Sequence, residues 1–345
     1  MKGLRVGVDS YSLKPLGLTA FEVLDWVARN GGEGVQFSEI NLPAGRTLDA
    51  AFLQELGHRA REKGLYLEWG GGQHIPFDLQ TWQPKDLLPI NRQAAAQAQA
   101  LGARVVRSCS GGLMRWSDSA PPTEALLRAM VPGLRAQMPM LADHGIVLAI
   151  ELHFEFTTFE LARLFEMCDA RPGGPLGICL DTMNLLIMLE DPHLATQRIL
   201  PWVVATHVKD GALKFGSEGL IAFPTAIGEG QIDLARIVTM LSGLERSIHL
   251  SLEAHGGRFS IPLFDATFLT RFPDLTAIEL SRLVRLARDG ERRIAEGTLA
   301  VLEREDWPLQ CEARVRADLL RLGSIAAGVR SSGDHLPRGG GRVGA

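Results

Sequence analysis

The segment Ile146-Val147-Leu148-Ala149-Ile150-Glu151-Leu152-His153 places five apolar residues, most of them branched, directly before a carboxylate. A polar turn, Asp143-His144-Gly145, precedes it. A continuous apolar run after a turn is typical of a strand buried on both faces, as in a parallel sheet that helices cover. An isolated buried carboxylate is costly, so Glu151 must be paired, bind a metal or lie in an open mouth.

The same pattern recurs three times downstream. Each run is apolar and ends in a side chain that can bind a metal: residues 176–180 before Asp181, residues 203–206 before His207, and residues 248–252 before Glu253. Four successive strands therefore each deliver one such side chain at the C-terminal end.

Four earlier runs bring the predicted strands to eight: residues 4–8, 34–37, 65–69 and 103–107. Helical segments separate the strands, at residues 20–27, 49–63, 91–101, 122–144 and 158–170, after Pro192, and at 232–242. This alternation predicts an α/β protein with a parallel sheet, and eight repeats favour closure into a (β/α)8 TIM barrel. A doubly wound open sheet is the alternative, although no GxGxxG motif follows the first strand.

Local signals mark where several of these helices begin and end. Thr19 is a candidate N-cap for the first helix, and Gly64 and Gly102 are placed to end the second and third. Pro132 and Pro139 predict breaks or kinks in the fourth helical segment.

The chain changes character after the eighth strand. Residues 258–273 are irregular and rich in aromatic side chains, and residues 276–297 and 309–329 predict two helices. We expect the first to be the eighth helix of a barrel domain of residues 1–300, and the second to belong to a C-terminal helical extension of residues 301–330. Residues 331–345 are rich in Gly and Arg, which predicts a disordered tail.

Composition restricts the classes of function. The 345 residues carry a net charge of −4, which argues against a nucleic-acid partner because such partners favour a basic surface. No apolar run approaches the roughly 20 residues that span a bilayer, and the N-terminus lacks the pattern of a signal peptide. The four cysteines have no paired spacing, so neither a disulfide framework nor a zinc ribbon is predicted. We expect a cytoplasmic protein without a membrane partner.

The four strand-end side chains predict a metal site. Active sites of TIM barrels lie at the C-terminal ends of the strands, where Glu151, Asp181, His207 and Glu253 can converge. Three carboxylates and one imidazole favour a single Mn²⁺ or Mg²⁺, with Co²⁺ or Zn²⁺ as alternatives. The competing interpretation for each residue alone is a paired acid or a capped histidine.

The chain resembles the xylose-isomerase-like barrels, the sugar phosphate isomerase/epimerase superfamily, over residues 3–257. Five motifs carry the resemblance: Ile150-Glu151-Leu152-His153, Leu180-Asp181-Thr182-Met183-Asn184, Thr206-His207-Val208-Lys209-Asp210, Gly228-Glu229-Gly230-Gln231-Ile232-Asp233 and Leu252-Glu253-Ala254-His255. The resemblance implies one divalent ion, bound by residues matching Glu151, Asp181, His207 and Glu253.

The resemblance also implies a reaction. In this superfamily the metal chelates a carbonyl and a neighbouring hydroxyl of the substrate and stabilises an enediolate. In its epimerases two glutamates exchange the proton as base and acid, and here these are Glu151 and Glu253. We therefore expect an isomerase or epimerase of a small keto-sugar or related polyol.

Two departures place a free ketohexose substrate in doubt. The ketohexose epimerases carry a histidine where this chain has Asn184, and an arginine where it has Leu213. The chain looks more like the branch that holds the inosose dehydratases, so a metal-dependent dehydratase or lyase is the alternative. Both reactions begin with the same enediolate, and the sequence does not separate them.

Several neighbours of the expected ligands are candidates for contact with the substrate. Lys209 is two residues after His207, so its side chain should point to the same face of the strand. The competing interpretation is a salt bridge from Lys209 to Asp210 or another acid. His153 and His255 come two residues after Glu151 and Glu253, so each should point to the same side as its glutamate. The remaining candidates are Asn184 and, near the end of the third strand, Trp69 and His74, with core packing as the alternative for the tryptophan.

Three further expectations concern other functions, the substrate and assembly. A hydrolase of the type IV endonuclease kind, or a barrel that binds sugar without turnover, is less favoured, because the ligand set is intact and serves one ion. Only Gly228 and Gly230 offer a glycine loop for phosphate, which favours a non-phosphorylated, carbohydrate-like substrate. We expect a homodimer or homotetramer, with residues 319–329 at the interface.

Overall fold

The computed structural model describes residues 3–110 and 112–333. The strands are β1 (Leu4–Asp9), β2 (Gly34–Phe37), β3 (Tyr66–Gly72), β4 (Val105–Ser108), β5 (Val147–Glu151), β6 (Leu176–Asp181), β7 (Val203–Val208), β8 (Asp210–Phe215), β9 (Leu220–Thr225), β10 (Ile248–Leu252) and β11 (Phe259–Ile261). The helices are α1 (Ala20–Arg29), α2 (Ala50–Glu62), α3 (Leu88–Leu101), α4 (Thr123–Asp143), α5 (Thr158–Met167), α6 (Asn184–Ile187), α7 (Pro192–Ile199), α8 (Leu234–Ser242), α9 (Ala266–Leu269), α10 (Ala277–Ala295) and α11 (Trp307–Gly333).

Eight parallel strands close into a barrel in the order β1, β10, β7, β6, β5, β4, β3, β2. Closure is made by β10 and β1, which pair in parallel with Leu250 opposite Val6. The predicted (β/α)8 TIM barrel is therefore confirmed, and the open sheet is excluded. The apolar core lies mainly between the strands and the surrounding helices.

The helix ends follow the predicted signals. Thr19 and Glu22 form a capping box at the start of α1, and the Asp49 carboxylate accepts a hydrogen bond from Phe52 N at 2.8 Å at the start of α2. Gly64 and Gly102 follow α2 and α3 with φ of +67° and +85°, a conformation that glycine adopts without strain.

Pro132 and Pro139 do not end the fourth helix, contrary to the predicted breaks. Both lie within the single helix α4. Both prolines are exposed, so water can hydrogen-bond the carbonyls whose amide partners they remove.

A small antiparallel sheet is an addition that the sequence analysis missed. Strands β8 and β9 form a hairpin directly after β7, and β11 pairs with β9. Helix α10 packs on β8 and approaches it closely at Gly290, where a Cβ would lie 1.9 Å from Leu213 O. The predicted position of α10 as the eighth barrel helix is therefore wrong.

Helix α11 occupies that position instead. It packs on β1, β10 and α8, with Val315, Leu319, Leu322 and Ala326 buried. This burial takes up most of the apolar face that was expected to form a subunit interface, and the homodimer or homotetramer stays a prediction. No helix of the described residues is long and apolar enough to cross a membrane.

The C-terminus agrees only in part with the sequence analysis. Residues 331–333 continue α11, and the rest of the expected tail, residues 334–345, lies outside the described residues. The division into a domain of residues 1–300 and an extension of 301–330 stays a prediction.

Candidate metal centre

The four expected ligands meet at the C-terminal mouth of the barrel. Glu151 and Asp181 end β5 and β6, His207 lies in β7, and Glu253 follows β10. One possible ligand atom from each residue lies within 4.8 Å of the others. His207 Nδ1 is 3.0 Å from Glu151 Oε1 and 2.7 Å from Glu253 Oε2, so both glutamates face the same ring nitrogen.

The buried Lys209 and the largely buried Arg107 also face this cluster. Lys209 Nζ lies 2.9 Å from both Asp181 Oδ2 and Glu253 Oε2. The Arg107 guanidinium pairs with Glu151 Oε2 from the neighbouring strand β4. The acid partners of Lys209 are therefore two of the expected metal ligands.

The competing partner Asp210 is engaged elsewhere. Its carboxylate accepts backbone hydrogen bonds from Gly211 at 2.8 Å, Gly228 at 2.9 Å and Gly230 at 3.0 Å. Burial raises the pKa of Asp210 to about 6 against the opposing effect of these bonds. The glycine turn that the sequence singled out thus binds a carboxylate of its own chain.

The cations set the ionisation of the ligands. Burial acts to raise the pKa of Glu151, but Arg107 and His207 outweigh it and hold that pKa well below its ordinary value. Burial also acts to raise the pKa of Glu253, and Lys209 with His207 holds it well below. Both glutamates are therefore anionic.

Burial acts in the opposite direction on the cations. It acts to lower the pKa of His207, but Glu253 and other groups raise it well above its ordinary value. For Lys209, Asp181 and Glu253 likewise outweigh burial and raise the pKa. Burial raises the pKa of Asp181, with Lys209 opposing it. The ion-free cluster thus neutralises its carboxylates with side-chain cations.

The residues present fit a divalent ion. Asp181 Oδ2 and Glu253 Oε2 are buried and make no hydrogen bond of regular geometry within the described chain. Carboxylate oxygens with one imidazole nitrogen suit Mn²⁺ or Mg²⁺. Both oxygens lie 2.9 Å from Lys209 Nζ as ion pairs, and a bound ion would add a metal contact to them.

Two expected substrate contacts lie beside the cluster. A nitrogen of His153 and the Cys109 thiol lie with Glu151 in a second group within 4.8 Å, and His153 Nδ1 is 3.6 Å from Glu155 Oε2. Asn184 N donates to Asp181 Oδ1 at 3.0 Å, and its side-chain Nδ2 is buried without a hydrogen bond in the described chain.

Two further histidines, the buried His74 and the partly buried His255, are held neutral. Burial lowers the pKa of His74 and of His255 to about 4. His74 Nδ1 bonds Ser108 Oγ at 2.8 Å, while its Nε2 makes no hydrogen bond in the described chain. His255 Nδ1 donates to Gly256 O at 3.0 Å.

Trp69 is not brought to the cluster. Its indole packs on Phe37 and donates to Gln97 Oε1 of α3 at 3.3 Å, and only 5% of the residue is exposed. These contacts place the ring between the sheet and its helices, as the core-packing alternative describes.

Several polar residues around the cluster were not predicted from the sequence. The five that bear on the cluster are Asp9, Gln36, Glu68, Arg107 and Glu155. Asp9 ends β1 just as Asp181 ends β6, so the strand-end rule could have found it. The others follow no end-of-strand pattern, although the two-residue period of the strands places several on the inner face.

Comparison with known proteins identifies the family of this chain. A family model described as "Xylose isomerase-like TIM barrel" matches residues 24–272, well over half of the chain. The chain belongs to the xylose isomerase-like TIM barrel family. The resemblance inferred from the motifs is confirmed.

Individual relatives of this xylose isomerase-like barrel carry several activities in their names. The chain is 28% identical over 262 residues to the 3-oxo-isoapionate decarboxylase of Pectobacterium atrosepticum, covering 72% of this chain and 85% of the relative. The structure of L-ribulose 3-epimerase has a TM-score of 0.62 at 16% identity and covers 98% of this chain and 100% of its own.

Two further solved structures share the fold. D-psicose 3-epimerase in the presence of D-fructose has a TM-score of 0.54 at 15% identity, covering 85% of this chain and 99% of its own. The probable 3-DHS dehydratase of Bacillus anthracis has a TM-score of 0.53 at 16% identity, covering 73% and 92%. Similarity at this level concerns the barrel alone.

Proposed function

We propose that this chain is a divalent-metal-dependent lyase that decarboxylates a small 3-oxo sugar acid. Glu151, Asp181, His207 and Glu253 would hold Mn²⁺ or Mg²⁺. One observation carries the proposal: each glutamate of the ligand cluster is paired with a side-chain cation, Glu151 with Arg107 and Glu253 with Lys209. This departs from our sequence-based expectation, in which epimerisation came first.

The two cations favour an anionic substrate. A substrate carboxylate entering the cluster would face positive charge from Lys209 and Arg107, whereas a neutral ketohexose gains less from it. Leu213, which is buried in β8, stands where the ketohexose epimerases carry an arginine, and this difference argues against a ketohexose substrate. The name of the curated relative, a decarboxylase of a 3-oxo acid, supports the same choice.

The chain's residues divide the chemistry between them. When bound, the divalent ion supplies a Lewis acid that stabilises negative charge on substrate oxygens. The bond to the carboxylate carbon breaks, CO₂ leaves, and the electron pair passes towards the 3-oxo oxygen as an enolate. Lys209 stabilises the enolate and donates a proton to its carbon, restoring the ketone, and solvent replaces that proton. No general base is needed, so both glutamates stay anionic.

Epimerisation is the second candidate. Glu151 and Glu253 both contact His207 Nδ1 and therefore flank one metal position. A substrate held there would have a carboxylate available to take a proton and another to return it. The pairing of Glu151 with Arg107 weakens it as a base, and we rank this reaction second.

The test starts with metal content. We expect one divalent ion per chain after chelation and refilling with Mn²⁺, and its loss in His207→Ala. Glu39→Gln is the control, because Glu39 pairs with Lys14 at 2.9 Å and is not a ligand. Absence of a bound ion after refilling with Mn²⁺ or Mg²⁺ would refute the proposed metal dependence.

The second step separates the two reactions. The refilled enzyme is assayed for CO₂ release from 3-oxo-isoapionate and for solvent deuterium exchange into neutral keto-sugars. Metal-dependent CO₂ release supports the decarboxylase. Deuterium exchange with a new epimer and no CO₂ would overturn it in favour of the epimerase.

A further inference from the structure

We propose that Gln36 and Glu68 are positioning residues that fix the ring of His207, so that its Nδ1 presents a lone pair to the metal. The inference rests on the metal-dependent function proposed above and concerns how the chain prepares one ligand. Gln36 in β2 and Glu68 in β3 are buried inside the barrel, with exposures of 0% and 1%.

A hydrogen-bonded chain reaches His207 through the barrel interior. Gln36 Oε1 contacts His207 Nε2, and Gln36 Nε2 donates to Glu68 Oε2 at 2.6 Å. Strands β2 and β7 are not neighbours in the barrel, so the contact crosses its interior. The sequence distance of 171 residues between Gln36 and His207 shows that only closure of the barrel creates it.

The chemistry of the amide decides which nitrogen of His207 carries hydrogen. A carboxylate only accepts hydrogen bonds, so Glu68 turns the NH₂ of Gln36 towards itself and leaves the amide oxygen facing His207. Against that acceptor, Nε2 must be the N–H donor. Nδ1, which faces Glu151 and Glu253, is then the nitrogen that gives up its proton and offers a lone pair when the ion binds.

Two neighbours strengthen the arrangement. Asp9 Oδ2 lies 3.3 Å from His207 Nε2 and is a second acceptor, which imposes the same hydrogen on that nitrogen. Glu68 is held in turn, because its Oε1 accepts from His249 Nδ1 at 2.7 Å. The His249 ring stacks on Tyr66 with 3.7 Å between the ring centroids, and this contact fixes the end of the hydrogen-bonded series that is farthest from His207.

The main test measures metal affinity in three variants. Gln36→Met keeps the side-chain volume but removes the acceptor, and we expect Mn²⁺ affinity to fall on the order of 10–100-fold. The double variant Q36E/E68Q restores an acceptor towards His207 and a donor between the two residues, so affinity should return to within a few-fold of wild type. Thr196→Val is the control for a lost buried hydrogen bond, because Thr196 Oγ1 donates to Pro192 O at 2.7 Å within α7, and Mn²⁺ affinity should stay at the wild-type level.

A second readout needs no metal. In ion-free protein labelled with ¹⁵N-histidine, the proton on His207 Nε2 should give a downfield NMR signal. It is assigned to His207 by its absence in His207→Ala, and to Nε2 by the correlations of that nitrogen with the carbon-bound ring protons. We expect it in wild type and in Q36E/E68Q, and shifted upfield in Gln36→Met, where only the longer contact with Asp9 remains. Wild-type affinity together with an unshifted signal in Gln36→Met would overturn the inference.

The two proposals fail in different ways. If wild type binds no metal, the proposed function fails and the NMR signal alone decides the role of Gln36. If wild type binds metal and the double variant does not recover the affinity lost in Gln36→Met, the effect is one of packing and the inference is wrong. Circular dichroism checks that every variant is folded before it is scored.

Discussion

Lys209 is the residue whose charge bears most directly on the proposed chemistry. Its ammonium lies 2.9 Å from two carboxylates of the cluster, inside a barrel mouth where water screens little. We expect Lys209→Met to lower kcat by about 10²–10³-fold, the effect of removing one preorganised donor, while the ion stays bound. Steady-state kinetics with metal content on the same samples measures both.

The matched control for this change is another lysine in an ion pair. Lys63→Met removes an ion pair with Asp25 of 2.7 Å at the surface and should leave kcat unchanged. An unaltered kcat in Lys209→Met would remove this residue from the mechanism.

Glu190 makes stability depend on pH. Burial raises its pKa from 4.5 to about 7, although Thr158 and Arg198 oppose the effect. The folded chain therefore favours the protonated form, and the free energy of unfolding should fall as pH rises from 4.5 through 7, by on the order of 3 kcal/mol at most. Urea denaturation at several pH values measures this.

Glu190→Gln should remove that slope, since the amide stays neutral throughout the range. Exposed Glu245→Gln should retain it. Parallel profiles for wild type and Glu190→Gln would contradict the assignment.

At the scale of elements, the contact between α10 and β8 depends on a missing side chain. A Cβ at Gly290 would lie 1.9 Å from Leu213 O, so Gly290→Ala must push the helix away from the hairpin. We expect a loss of about 1–3 kcal/mol in stability, as for other overpacked contacts. Chemical denaturation measures it.

Gly323→Ala is the natural comparison, because nothing lies within 4 Å of its Cβ position in α11. That change should be neutral or stabilise the helix by roughly 0.5–1 kcal/mol. Equal effects at the two positions would mean that the close approach is not what limits Gly290.

Helix α11 offers a similar pair, two leucines that lie two residues apart on different faces. Leu322 is fully buried against the barrel, whereas Leu320 is 61% exposed. We expect Leu322→Ala to cost about 2–5 kcal/mol and Leu320→Ala close to nothing. The unfolding midpoint in urea distinguishes them, and a small cost at Leu322 would show that α11 is not part of the barrel's cooperative unit.

At the scale of the whole molecule, the barrel could be predicted because its strands are buried on both faces. Runs such as residues 146–150 and 176–180 are continuous in apolar character, and each precedes a polar residue at the same mouth. Because the barrel closes, the C-terminal ends of its strands meet at one mouth. The four strand-end residues could therefore be grouped before their distances were known: Glu151, Asp181, His207 and Glu253.

The features that the sequence did not predict depend on contacts between distant segments, which no local pattern encodes. Residues 210–225 form a hairpin outside the barrel, and its partner strand β11 lies more than thirty residues later. The exchange of roles between α10 and α11 has the same origin: both segments are helical, and only packing decides which one covers β1 and β10. Gln36 reaches His207 only across the closed interior, so neither residue signals the other in sequence.

The turn around Gly228 and Gly230 has a consequence for anyone redesigning this barrel. Asp210 follows Lys209 directly and is the nearest acid along the chain, yet four backbone amides hold its carboxylate away from that lysine. A side chain at Gly230 would meet Asp210 Oδ1 at 2.1 Å and dislodge it. A loop graft that replaces this turn would therefore free the Asp210 carboxylate to pair with Lys209. The graft would alter the charge of the reaction centre although it changes no residue that lines it.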